Sequence, residues 1–268
     1  MNLKSLAAAV FLAAPTCLFG ATAPYSNDFS GTGSNTAFTY APSSSASPTM
    51  YYSVTSGVNR LTYTNSSAVG AATSLSLTNM GTQNFSFTTQ VSISSFGTQN
   101  TNGTSVGFGL FGLDNAFTGS LTSNAYYLVD WNVANSGGTT GTLRILALGD
   151  TTGFTATNGA ADVDPSAGLA AVLNTVYTMK VTGTYTGSTL NMTMKLYDST
   201  GTTQIGTTAT ASDTTPLTGT NFGYRSRAGI GGGTFTANYD NFAVAVPEPA
   251  SLSILAGAGL LAMRRRRR

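Results

Sequence analysis

The sequence predicts an all-β sandwich flanked by a targeting segment at each end. Three observations carry that prediction. Valine, isoleucine, threonine and aromatic residues recur in short runs broken by Gly, Asn and Asp, the composition of strands joined by tight turns. The clearest runs alternate apolar and polar side chains with period two, which puts one row on a core and the other in water. No stretch of the central chain shows the three-to-four-residue apolar spacing of an amphipathic helix. Only 8% of the 268 residues are charged while 41% are hydrophobic, the opposite of the low-hydrophobicity, high-charge balance of disordered chains.

The first segment runs from Met1 to about Ala23. It opens with Lys4, continues through the apolar run Leu6 to Leu12 and ends in Gly20, Ala21 and Ala23, the layout of a secretory signal peptide. The single cysteine, Cys17, lies inside it and is expected to leave with it. The mature chain then has no disulfide, no thiolate metal site and no cysteine nucleophile, so its stability must come from its core.

Residues 24–245 form the predicted sandwich, long enough to bury a substantial apolar interior. A first strand is expected at Asn59 to Thr64, after a Ser/Pro loop at Pro42 to Pro48. In Phe85 to Ser94, the row Phe85, Phe87, Thr89, Val91 and Ile93 alternates with hydroxyl and amide residues. Val106, Phe108 and Leu110 form another inward row, and Gly107 and Gly109 between them allow bends or close packing. Tyr126 to Val133 and Leu143 to Leu148 follow. Two amphipathic strands, beginning at Tyr177 and ending near Tyr197 around a short loop with Gly187, make an antiparallel hairpin. Asn221 to Arg227 and Phe235 to Val244 complete about a dozen strands, with Gly231 to Gly233 read as a hairpin loop.

Two short phrases, Tyr25-Ser-Asn-Asp-Phe29 and Tyr239-Asp-Asn-Phe242, open and close this region, and Asn221-Phe-Gly-Tyr224 precedes the second. The arrangement resembles the concanavalin A-like, laminin-G-like jelly rolls. The resemblance implies that the first and last strands lie side by side in one sheet. For a glucanase of that shape it would also imply a strand bearing Glu-x-Asp-x-x-Glu, two carboxylates about 5 Å apart.

No Glu occurs before Glu248, and the chain has no His. The glucanase pair, the Ser-His-Asp triad and the commonest zinc ligand are therefore missing, and the many serines and threonines have no base to activate them. Tyr127-Leu-Val-Asp130-Trp131 offers one carboxylate where two are needed, and the closely spaced Asp162 and Asp164 sit in a turn-like stretch. Catalytic residues are expected to be none.

The chain ends in Val246-Pro247-Glu248-Pro249, an uncharged apolar run from Ala250 to Met263, and Arg264, Arg265, Arg266, Arg267 and Arg268. As a helix at about 1.5 Å per residue the run reaches roughly 21 Å, short of the ~30 Å hydrocarbon core unless the arginines snorkel or the bilayer thins. Arginines on the cytoplasmic side would place everything before Pro247 outside the membrane. Residues 246–268 resemble the PEP-CTERM sorting tail of Gram-negative bacteria. That resemblance implies a partner, the transpeptidase exosortase, which recognises Pro247-Glu248-Pro249 and passes the protein to the cell surface or extracellular polymer. Without both end segments, six Lys and Arg face nine acids, a net charge of −3, which leaves no footprint for a nucleic-acid partner.

The leading expectation is an exported, non-catalytic protein of the surface or extracellular matrix, whose threonine-rich faces suit hydrated polysaccharide. The second is a carbohydrate-binding module. In it Tyr127 and Trp131, with Tyr126 and Tyr224 as further candidates, would stack on sugar rings. Asp28 and Asp240, with Asn27 and Asn241, would offer hard oxygen ligands to Ca²⁺; the alternative is that these side chains cap turns at the strand ends. Alternation sets Tyr127 and Trp131 against Tyr126 and Asp130, so one of the two sets must face the core.

Overall fold

The computed structural model describes residues 23–30, 37–42, 50–64, 69–99, 104–118, 122–134, 141–161, 171–228 and 230–246. The predicted signal peptide up to residue 22, nearly all of the Pro42 to Pro48 loop, Asp162, Asp164 and the sorting tail beyond Val246, with its apolar run, lie outside them. Among the described residues no helix is long and apolar enough to cross a membrane.

The strands are β1 (Tyr25–Asn27), β2 (Thr39–Pro42), β3 (Met50–Thr55), β4 (Val58–Tyr63), β5 (Val69–Ser76), β6 (Phe85–Gln99), β7 (Thr104–Gly112) and β8 (Tyr126–Ala134). The second half supplies β9 (Gly141–Leu148), β10 (Phe154–Thr157), β11 (Gly159–Ala161), β12 (Val176–Thr186), β13 (Thr189–Tyr197), β14 (Gln204–Asp213), β15 (Asn221–Ala228) and β16 (Ile230–Ala245). They form two antiparallel sheets. The larger has nine strands in the order β10-β14-β13-β12-β6-β16-β4-β3, with β1 added alongside β16; the smaller has seven in the order β11-β9-β8-β7-β15-β5-β2.

The first and last strands do pair, Tyr25 with Val244 and Asn27 with Phe242, so β1 continues the edge along β16 beyond the stretch that β4 covers. The phrases that close the domain are core-forming. Phe29, Tyr224, Tyr239 and Phe242 are all buried, and Phe38 joins Phe29 to Phe242 at ring distances of 5.7 and 5.5 Å. Phe29, which ends the first phrase, and Asn241, which precedes the closing Phe242 of the second, each adopt a left-handed backbone, φ 50° and 51°.

Inward rows of the two sheets interdigitate. Phe87 of β6 stacks on Phe222 of β15 at 5.5 Å, across the sandwich. The predicted row of β6 is buried throughout, Thr89 included, because its hydroxyl bonds both the Tyr224 hydroxyl at 2.7 Å and the Asp240 carbonyl at 2.8 Å. β12 and β13 form the predicted hairpin around Gly187, whose φ of 62° suits a residue without Cβ. Gly231 to Gly233 is not a hairpin loop: it belongs to β16, whose pairing with β6 shifts register there, and Gly233 takes φ 79°. Successive glycines absorb the bulges that a long strand needs to keep one partner over its length.

Candidate functional site

Side-chain burial sorts the expected aromatic candidates first. Tyr127 and Trp131 point between the sheets and are fully buried. The Trp131 ring packs edge-on against Tyr177 at 5.0 Å, and the Tyr127 hydroxyl donates to Asp213 Oδ2 at 2.6 Å. Neither presents a face to a sugar, which corrects the expectation of stacking at these two residues. Tyr126, on the opposite face of β8, is buried too: Phe117 folds back over it at 5.3 Å, into the space left by the missing side chains of Gly109 and Gly112. Tyr224 is sealed among Tyr239, Tyr52 and Phe108. Sequence alternation marked one row as core but could not show that a returning loop covers the other.

Asp130 lies on the outer face of the smaller sheet, fully buried beneath Arg144. The guanidinium grips both carboxylate oxygens, Nε to Oδ1 at 2.9 Å and Nη2 to Oδ2 at 2.6 Å. A carboxylate held in this fork supports structure.

The seam of β1 and β16 opens a cleft of about 580 Å³ lined by Tyr25, Asn27, Asp28, Asn241 and Phe242. Asp28 and Asp240 are near enough to interact: burial and then the Asp28 charge raise the Asp240 pKa, while the N–H of Asn241 works against that rise. One oxygen of each carboxylate already accepts a backbone N–H. Asp28 accepts the Ser30 N–H, Asn27 the Phe29 N–H, and Asp240 the Asn241 N–H. Two carboxylates fall short of the six to eight oxygens that Ca²⁺ takes, and no group of three His, Cys, Asp or Glu side chains able to hold a metal occurs among the described residues. The geometry is that of turn capping.

A different surface carries an aligned array of polar groups. On the outer face of the larger sheet, register aligns Ser86, Thr182, Thr193, Thr210 and Thr157 in one rank across β6, β12, β13, β14 and β10. Two residues along, Thr184, Asn191, Ser212 and Thr155 form a second rank. Thr182 and Thr193 share a hydroxyl–hydroxyl bond of 2.7 Å. Between β10 and β13 both ranks border a shallow groove of about 390 Å³. β10 and β14 are not among the strands the sequence predicts, and period-two alternation marks as outward only the polar rows of β6, β12 and β13. Their alignment depends on pairing between strands up to about a hundred residues apart, which no local pattern encodes.

The chain is thus a two-sheet, all-β sandwich whose last strand leads into a tail of sorting character. A PEP-CTERM protein-sorting motif matches residues 245–268, which indicates an exported protein that is held at the membrane before exosortase processes it. No curated protein matches the chain. Among solved structures it is similar to peanut lectin in complex with a nonamer peptide, with 10% identity, TM-score 0.48 and coverage of 84% of this chain and 98% of that one. It is similar to the seed lectin of Lotus tetragonolobus, with 10% identity, TM-score 0.48 and coverage of 84% and 99%. The Ca²⁺/Man3GlcNAc-bound exoplasmic domain of VIP36 aligns with 8% identity, TM-score 0.48 and coverage of 80% and 88%.

Proposed function

We propose that the protein is a non-catalytic component of the extracellular polymer layer, delivered by exosortase and exposed there as a folded sandwich. The observation that carries this reading is the junction at residue 245. β16 ends at Ala245, and the sorting motif begins at the same position. Val244 is the last fully buried side chain and Val246 packs half-buried against the core, so a cut beyond Val246 removes no buried side chain.

A role without catalysis is supported by the chemistry of the acids. Asp130 is gripped by Arg144, Asp213 takes the Tyr127 proton donor, and no His or internal Glu supplies a base. The second reading, association with polysaccharide, is favoured by the hydroxyl ranks of the larger sheet. Tyr127 and Trp131 have no part in it.

Fractionation of cells tests the route. In a host that has exosortase, the protein is expected in the surface polymer fraction with a shortened C-terminus. With Pro247, Glu248 and Pro249 all replaced by Ala, it is expected in the membrane fraction with the tail attached. Recovery of the unprocessed wild-type chain from the cytosol of such a host would overturn the reading.

A further inference from the structure

Where the hydroxyl ranks stop, the same face carries two lysines. Lys180 of β12 and Lys195 of β13 are direct cross-strand partners, one exposed and the other half-buried. Among the described residues neither is within ion-pair distance of a carboxylate, the one ion pair there being Arg144 with Asp130. Like charges directly opposite one another weaken a sheet. The nearby acids do not offset them. Asp240 lies two strands away in the next row, beside Gln90, and Asp198, in the turn after β13, is taken up by the Thr200 hydroxyl and the N–H groups of Thr202 and Thr203.

The lysine row runs parallel to the two ranks. Strands advance about 4.8 Å from one to the next, so the face offers donors and acceptors at regular steps across the sheet. An extended glycan presents its own hydroxyls at comparable steps, and acidic groups on it would neutralise the facing lysines. A nucleic acid would require more cations and aromatic faces for its bases, and a lipid surface would require exposed apolar side chains. The large exposed apolar residues among those described, Leu113, Val172, Leu173 and Val176, stand outside these rows.

We propose that this outer face binds an extended anionic polysaccharide, with acidic groups against Lys180 and Lys195 and sugar hydroxyls along the rank through Thr193 and Thr210. The proposal rests on extracellular delivery only for the source of the polymer, so it is tested in vitro, apart from sorting.

The probes are polygalacturonate and neutral dextran, offered to the full-length chain in detergent by affinity electrophoresis. Because Arg264 to Arg268 could bind a polyanion, each variant is also made with those five arginines replaced by Gln. Polygalacturonate is expected to retard the chain at low salt in both backgrounds, and dextran is not. K180Q/K195Q, with an unchanged melting temperature, is expected to weaken binding by about tenfold, from the loss of two charge-assisted contacts. K180R/K195R is expected to keep it. Binding that survives K180Q/K195Q, that disappears with the terminal arginines alone, or that is equal for dextran would overturn the proposal. So would tighter retention by single-stranded DNA through the same two lysines.

Discussion

The Tyr127 hydroxyl donates to Asp213 Oδ2 at 2.6 Å and accepts the Leu217 N–H at 3.0 Å, joining β8 of one sheet to the end of β14 in the other. Burial and then this bond to a carboxylate push the Tyr127 pKa up. The hydroxyl stays protonated and keeps its donor for the buried acid. Tyr127→Phe leaves both partners short, and about 2–3 kcal/mol of destabilisation is expected, since bonds to charged groups count for more than neutral ones. Urea unfolding would show it, and polygalacturonate binding should not change.

Trp131 makes the same point through packing. It is among the largest fully buried side chains, so Trp131→Ala should cost about 3–5 kcal/mol as a cavity mutation. The expected result is a lower melting temperature with loss of near-ultraviolet ellipticity. A variant that kept full stability while losing glycan binding would restore Trp131 as a ligand residue.

Gly183 is the cross-strand partner of Phe85, whose ring lies where a Cβ on Gly183 would have to go. Gly183→Ala is expected to destabilise the protein by about 1–3 kcal/mol through overpacking. Combining it with Phe85→Leu should recover part of that loss in a double-mutant cycle of urea midpoints.

Asp198 supplies a pH dependence with a definite sign. The Thr200 hydroxyl first, then the side chain and N–H of Thr203 and the N–H of Thr202, lower its pKa to about 2 against the opposing effect of desolvation, which is second in size to the Thr200 bond. A depressed carboxylate adds stability that is present above its unfolded value of about 3.9 and is lost as pH falls through the folded value. Asp198→Asn should therefore shrink the difference between urea midpoints at pH 6 and pH 2.5. An unchanged difference would show that the turn contributes nothing to acid sensitivity.

The strands were largely legible because a half-buried strand writes its two environments into alternate residues, as Phe85 to Ile93 does. The pairing of the ends was legible in the two Asn/Asp–Phe phrases. Trp131 and Tyr127 were misread because an aromatic side chain in a strand looks the same whether its face meets solvent or a second sheet. The fate of Tyr126 was hidden for another reason: Phe117, which covers it, stands in an irregular loop with no periodic signal.

By itself, the sequence determined the sorting tail, the sheet-rich core and the absence of His and of Glu before Glu248. Composition and short-range order suffice for those properties. Only the tertiary structure decided which polar rows stand together. The register among β6, β12, β13, β14 and β10 is set by long-range backbone pairing and core packing. One residue of slip along any strand would have turned its hydroxyls inward and dispersed the array.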